Sequence, residues 1–386
     1  MCNLAAVNLA EHVNKDSNEV DYEKLTATVK TGVRMQDNVI DATPYFLEEN
    51  KKQALGERRI GLGVLGLADM LIYTENRYGS VEGNKVVDKV FETIAIAAYE
   101  ESIDLAKERG SFEFLIGETD EETMTLRENF INTGYMKRMP EYIREGVLEH
   151  GIRNSHLLTV APTGSTGTMV SVSTGLEPYF AFKYFRSGRL GKFMEVNQEI
   201  VQEYLDKHPE ASAEDLPDFF VSAMDLSPEE HVDVQTTIQS WVDSSISKTV
   251  NAPAGYSVDQ VASVYERLYD GGAKGGTVYV DGSRDSQVLT LKAEENDLDK
   301  EIDMFEQAGI EVEVKENVRV IEDPNELRNL VDDAHEKHQL QKGHTDDVTY
   351  GSDIGDTCPV CRTGTVKDIG GCNTCDNCAV QLQCGL

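Results

Sequence analysis

The chain has 386 residues, 40% of them hydrophobic and 7% aromatic, which suits a sizeable globular core and excludes a disordered, collagen-like or coiled-coil protein. Its 36 basic and 69 acidic residues give a formal net charge of −33, which argues against a nucleic-acid surface, since such surfaces rest on lysine and arginine contacts to phosphate. No apolar run reaches the ~18–20 residues that cross a bilayer, and MCNLAAVNLAEH lacks the cationic-then-apolar order of a signal peptide, so a cytoplasmic protein with no membrane partner is expected.

AAVNLA (5–10) alternates as a short strand does. Over residues 22–42, Leu25, Val29, Val33, Gln36 and Ile40 recur at three- and four-residue steps and predict a helix. Further helices are predicted over about 59–75, 86–109, 194–206, 228–248 and 257–270, with Trp241 as a core residue of the fourth. LLTVA (157–161) and TVYV (277–280) read as buried strands. Helices alternating with short apolar strands predict an α/β domain with interior parallel strands over residues 1–291.

The composition then changes. Residues 292–338 read as an acidic linker followed by a small αββα element, its last helix opening at Asp323-Pro324. Residues 339–357 read as a polar tether, and 358–386 as a cysteine-rich tail. Residues 292–357 hold 20 acidic against 7 basic side chains, yet the acidic excess also extends over the rest of the chain. Such a surface tolerates concentrated salt, where screening removes self-repulsion, and a halophilic cytoplasm is expected.

Six of the seven cysteines crowd the tail in the spacing C-x2-C-x10-C-x2-C-x2-C-x5-C. Two CxxC pairs separated by a short hairpin can set four thiolates around zinc, as in a zinc ribbon. On spacing alone, Cys358 and Cys361 pair either with Cys375 and Cys378 or with Cys372 and Cys375; Cys384 is spare in both arrangements. A surplus thiol pair on a tether fits a dithiol that carries electrons by thiol–disulfide exchange.

In VAPTGSTGTMV (160–170) an apolar strand runs into a glycine-rich turn that should open a helix. Its amides and the hydroxyls of Thr163, Ser165 and Thr166 suit an anion such as phosphate, and the absence of a Walker lysine argues against triphosphate hydrolysis. GLGVLG (61–66) has the spacing of a dinucleotide fingerprint, but ALGERRI before it is charged where a strand is needed; close helix packing is the expected use of its glycines. His335 and His338 read as a solvated helix face, and His156 adjoins the LLTVA strand.

Seven segments in order resemble the large catalytic chain of ribonucleotide reductases, specifically the adenosylcobalamin-dependent class II enzymes. They are CNLAAVNLA (2–10), VRMQDNVIDA (33–42), RRIGLGVLGLADML (58–71), RNSHLLTVAPTGSTGT (153–168), STGLEPYFAF (173–182), SSISKTVNAP (244–253) and KGGTVYVDGSRDSQVL (274–289). The second and third resemble two helices of the catalytic barrel, and the six-cysteine tail is similar to the class II zinc-finger tail.

The resemblance implies part of a ten-stranded α/β barrel in which a thiyl radical, generated from adenosylcobalamin, attacks the ribose of a ribonucleotide substrate. It implies that Cys2 is one member of the cysteine pair that reduces the substrate. Thr163, Gly164, Ser165, Thr166 and Gly167 would cradle the substrate phosphates. It favours Cys358, Cys361, Cys375 and Cys378 as zinc ligands, since the family's glycine after the second knuckle aligns with Ala379. Cys372 and Cys384 are then the shuttle dithiol, re-reduced by a thioredoxin-like partner.

The family's Asn-x-Cys-x-Glu motif, with the radical cysteine, is absent from this sequence. The chain therefore resembles the C-terminal portion of the catalytic protein, and an N-terminal portion is an expected partner, with a second copy of the chain as a further candidate. A start beside a motif cysteine also fits a gene interrupted by an intein or a split frame. The competing expectations are a non-catalytic remnant or zinc-ribbon interaction module and, more remotely, an NAD-dependent dehydrogenase.

Overall fold

The structure, a computed structural model, describes residues 3–188, 191–213, 215–283, 355–358, 364–369, 372–377 and 381–384. Contacts divide the chain into two compact units, residues 1–308 and 309–386.

The first unit opens with β1 (Asn3–Asn8), a 3-10 turn, and a small antiparallel ribbon of β2 (Val13–Asn14) and β3 (Glu19–Val20). Helix α1 (Tyr22–Ala42) starts at Asp21, whose carboxylate accepts from the Lys24 amide at 2.9 Å. It buries Leu25, Val29, Val33, Gln36 and Ile40, the stripe that the spacing predicts. After α2 (Glu48–Glu57) the structure departs from the predicted 59–75 helix. Residues 60–65 form β4 (Ile60–Leu65), buried at every position, and only Leu67–Tyr73 is helical, as α3. A strand covered on both faces has no alternating pattern, so IGLGVL carries no strand signature beyond its apolarity. Gly63 lets a neighbouring strand approach, since a Cβ there would run into the Thr159 carbonyl oxygen.

Helix α4 (Val81–Arg109) begins earlier than the apolar pattern, on its Ser80 cap. Helices α5 (Asp120–Ile131) and α6 (Glu141–His150) are absent from the sequence reading; α5 buries no residue and so shows no apolar stripe. A short α7 (Gly164–Met169) follows the strand stretch at 157–160, as predicted. The antiparallel hairpin of β5 (Lys183–Gly188) and β6 (Gly191–Asn197) takes up the start of the predicted 194–206 helix, leaving α8 (Glu199–Lys207). Helix α9 (Pro228–Gln239), opened by a Ser227–Glu230 capping box, stops before Trp241. The indole packs half-buried against the core and donates to Asp88 at 2.7 Å. The predicted 228–248 helix is shorter because its last residues join the sheet, ahead of β7 (Thr249–Ala252). Helix α10 (Val258–Asp270) and β8 (Thr277–Val280) complete the unit.

Five parallel stretches lie side by side: β1, β4, residues 157–160, residues 244–247 running on into β7, and β8. Among the described residues they form an open row, not a closed barrel. Two buried carboxylates set their register. Asp37 accepts from Arg58 at 2.8 Å and from Asn154 at 3.1 Å, tying α1 to the residues that lead into β4 and 157–160. Asp243 accepts from the amides of Leu157 and Leu158 at 2.8 and 3.1 Å and from the Tyr99 hydroxyl at 2.9 Å.

In the second unit, β9 (Val366–Ile369), β10 (Cys372–Cys375) and β11 (Gln381–Cys384) form an antiparallel sheet in the order β11-β10-β9. The predicted elements of 292–338, with His335 and His338, and the tether as far as residue 354 lie outside the described residues. No described helix is long and apolar enough to cross a membrane.

Candidate anion-binding turn and cysteine tail

The turn at 161–167 leaves the C-terminal end of the third parallel stretch, the end at which parallel sheets present ligand sites. Thr163 sits in the left-handed region, φ 50° and ψ 26°, a conformation that costs a non-glycine residue energy. Its hydroxyl accepts from the Gly175 amide at 2.7 Å and does not cap α7. The leading amides of α7 have no partner within their own helix, and Gly164, Ser165 and Thr166 are exposed, with open space where a Gly164 Cβ would stand. Gly167 is buried; its amide donates to the Thr163 carbonyl at 2.8 Å, and a Cβ on it would press on Thr174 and the Val172 carbonyl. Exposed helix-start amides flanked by two hydroxyls suit an anion.

The polar groups that hold this turn are missing from the sequence reading. Asp69, in the first turn of α3, is 1% exposed and accepts from the Ser173 amide at 2.8 Å and the Tyr179 hydroxyl at 2.5 Å. Burial pushes its carboxyl above the usual range, opposed by those hydrogen bonds. On the other side, Glu177 accepts from the Lys248 ammonium at 2.6 Å and the Thr249 amide at 2.6 Å. Lys248 also donates to His231 Nδ1 at 2.9 Å, so the ring's Nε2–H donates to the Ala223 carbonyl at 3.0 Å. Burial and the adjacent Lys248 push His231 down to about 3, keeping it neutral. Burial also lowers Lys248, with Glu177 opposing. The only sequence signal for these groups is a charged residue inside an apolar run, as in LADMLI. His156 lies against Arg59, 3.0 Å from its guanidinium.

Cys2 lies outside the described residues, next to the first residue of β1, and so do Cys361 and Cys378. Cys358 and Cys375 are both buried, and Cys375 Sγ accepts from the Asn377 amide at 3.4 Å. Among the described residues no group of three or more candidate ligands stands together. Cys372 and Cys384 are directly opposite each other across β10 and β11. Facing antiparallel residues have Cα atoms about 4.5–5.5 Å apart, inside the ~4.4–6.8 Å span of a disulfide.

Residues 1–279 match the barrel domain of ribonucleotide reductase. The chain belongs to the ribonucleotide reductase family. It is 32% identical over 323 residues to a vitamin B12-dependent ribonucleoside-diphosphate reductase of Thermoplasma acidophilum, covering 79% of this chain and 39% of that protein. A protein of the same name from Mycobacterium tuberculosis (strain ATCC 25618 / H37Rv) is 30% identical over 311 residues, 76% of this chain and 40% of the relative. A ribonucleoside-diphosphate reductase subunit alpha of Chlamydia muridarum is 30% identical over 334 residues, 78% of this chain and 31% of the relative. The chain thus spans about two fifths of the length of the first two relatives. For a ribonucleotide reductase chain, GLGVLG is a buried barrel-domain strand, correcting the expectation of close helix packing.

Proposed function

We propose that the chain is the C-terminal part of the catalytic barrel of a vitamin B12-dependent ribonucleoside-diphosphate reductase, completed by an N-terminal portion that bears the radical cysteine. The whole enzyme converts ribonucleotides to deoxyribonucleotides for DNA synthesis. The observation that carries this reading is the barrel-domain match over residues 1–279, which includes the exposed helix-start amides at the end of a parallel strand. The names of the Thermoplasma and Mycobacterium relatives support the cobalamin branch.

In this reading the segment Thr163–Gly167 cradles the substrate phosphates: the amides of Gly164, Ser165 and Thr166 and the hydroxyls of Ser165 and Thr166 hold them, while Thr163 and the buried Gly167 shape the turn. Cys2 is one of two thiols that together give two electrons and two protons as the ribose 2′-hydroxyl leaves as water, and the thiols close as a disulfide. Cys372 and Cys384 exchange with that disulfide, and a thioredoxin-like protein reduces them in turn. Their facing positions on β10 and β11 support this pairing.

Zinc is assigned to Cys358, Cys361, Cys375 and Cys378. The buried Cys358 and Cys375, with an amide aimed at the Cys375 sulfur, fit two of the four ligands. Adenosylcobalamin supplies the radical that the thiyl chemistry begins from. Its seat is assigned to the whole enzyme.

The test combines the chain with an N-terminal portion from a vitamin B12-dependent relative. Deoxyribonucleoside diphosphate is expected only when both portions and adenosylcobalamin are present. A folded complex that makes none in their presence would leave a remnant or a zinc-ribbon interaction module.

A further inference from the structure

The segment 172–175 is the seat on which the anion-binding turn rests. The Val172 amide donates to the Gly167 carbonyl at 3.0 Å, and the Gly175 amide donates to the Thr163 hydroxyl at 2.7 Å. Both ends of the short helical turn therefore close on this segment. Ser173, at its middle and 4% exposed, commits its polar atoms to the junction of β4 and α3. Its amide donates to Asp69 at 2.8 Å, its carbonyl accepts from the Gly66 amide at 2.8 Å, and its hydroxyl accepts from the Ala68 amide at 3.2 Å. Asp69 also draws in the Tyr179 hydroxyl, which ties down the chain four residues beyond that segment. Among the described residues no lysine or arginine forms an ion pair with Asp69. A buried carboxylate without a cation is costly to keep, and this one gathers two donors from the segment behind the turn.

We propose that Asp69 is a positioning residue for phosphate binding: through Ser173 and Tyr179 it fixes segment 172–175, so that the helix-start amides of Ser165 and Thr166 are held ready for a diphosphate. The inference rests on reading the turn as a phosphate cradle. A six-residue helix is too short to hold its own shape in water, so without the seat its ordering cost would fall on ligand binding. Among the described residues the donors to Asp69, besides its own amide, come from Ser173 and Tyr179, so its loss should act on affinity and leave the chemical step alone.

The experiment measures binding of inorganic pyrophosphate to the full chain by calorimetry, beside thermal melting. The variants are Asp69→Asn, Asp69→Ala, Tyr179→Phe and Thr166→Pro. Asp69→Asn keeps the shape but sets an amide donor against one of the two donors, and pyrophosphate affinity should fall about tenfold. Tyr179→Phe should fall about threefold with a folded chain, which keeps the proposal testable if Asp69→Ala does not fold. In the reconstituted reductase, Asp69→Asn should raise KM and leave kcat in place. Thr166→Pro removes one presented amide, and it is read only if its thermal melt matches that of wild type. If wild type binds no pyrophosphate, or Thr166→Pro binds as wild type does, the cradle reading fails and the proposal with it. If Thr166→Pro weakens binding while the folded Asp69 and Tyr179 variants bind like wild type, the positioning role alone is overturned.

Discussion

His231 and Asp37 show how single buried groups set the conditions under which the first unit is stable. His231 is neutral in the folded chain, with its pKa lowered from 6.5 to about 3, while the unfolded chain takes up a proton near 6.5. The unfolded state thus binds the extra proton between these values, so this contribution to stability is complete above 6.5 and is lost as pH falls toward 3. His231→Gln should flatten the stability-versus-pH slope between pH 6 and 4 by about 1.4 kcal/mol per unit, as read from urea unfolding. An unchanged slope would mean that another group takes up the proton. Asp37 is fully buried and holds Arg58, itself 4% exposed. Asp37→Ala leaves that guanidinium short of a buried partner and should cost about 3–5 kcal/mol in the same measurement. A loss below about 1 kcal/mol would show that Asp41, 2.8 Å from the same guanidinium, suffices.

At the level of elements, the cysteine strands make the sharpest division. Facing each other on β10 and β11, Cys372 and Cys384 should oxidise to a disulfide with zinc retained, whereas Cys375→Ser should release zinc. Metal stoichiometry with thiol counting on the three serine variants reads this directly. Zinc loss in Cys372→Ser or Cys384→Ser would overturn the ligand assignment. Spacing alone leaves two ways of choosing the ligands, because it carries no strand register; the facing of Cys372 and Cys384 is the observation that favours the proposed choice. The same limit applies elsewhere. The stripe of α1 was legible because one helix face is buried and the other is wet. The strand β4 was not, because burial on both faces removes the alternation that marks a strand. The phosphate-like turn could be read from its glycines and hydroxyls, but Asp69, Glu177 and Lys248 could not, since their partners lie 104, 72 and 17 residues away in sequence.

For the whole molecule, the net charge of −33 is spread beyond the acidic stretch, and surface ion pairs such as Lys15–Glu203 and Arg267–Asp233 answer little of it. Self-repulsion on this scale weakens the compact state in dilute buffer and is screened within a few ångströms at molar salt. The melting temperature should therefore climb as KCl is raised from 0.1 to about 3 M. A flat response above low salt would reject adaptation to a saline interior.

The chain is proposed to supply reducing and substrate-holding parts of a reductase. The most direct measurement is a single turnover of the pre-reduced, reconstituted complex with adenosylcobalamin and no external reductant, comparing wild type with Cys2→Ser. Deoxyribonucleoside diphosphate is expected from wild type and none from Cys2→Ser, with pyrophosphate binding retained in the variant. Equal product from both would contradict the proposal.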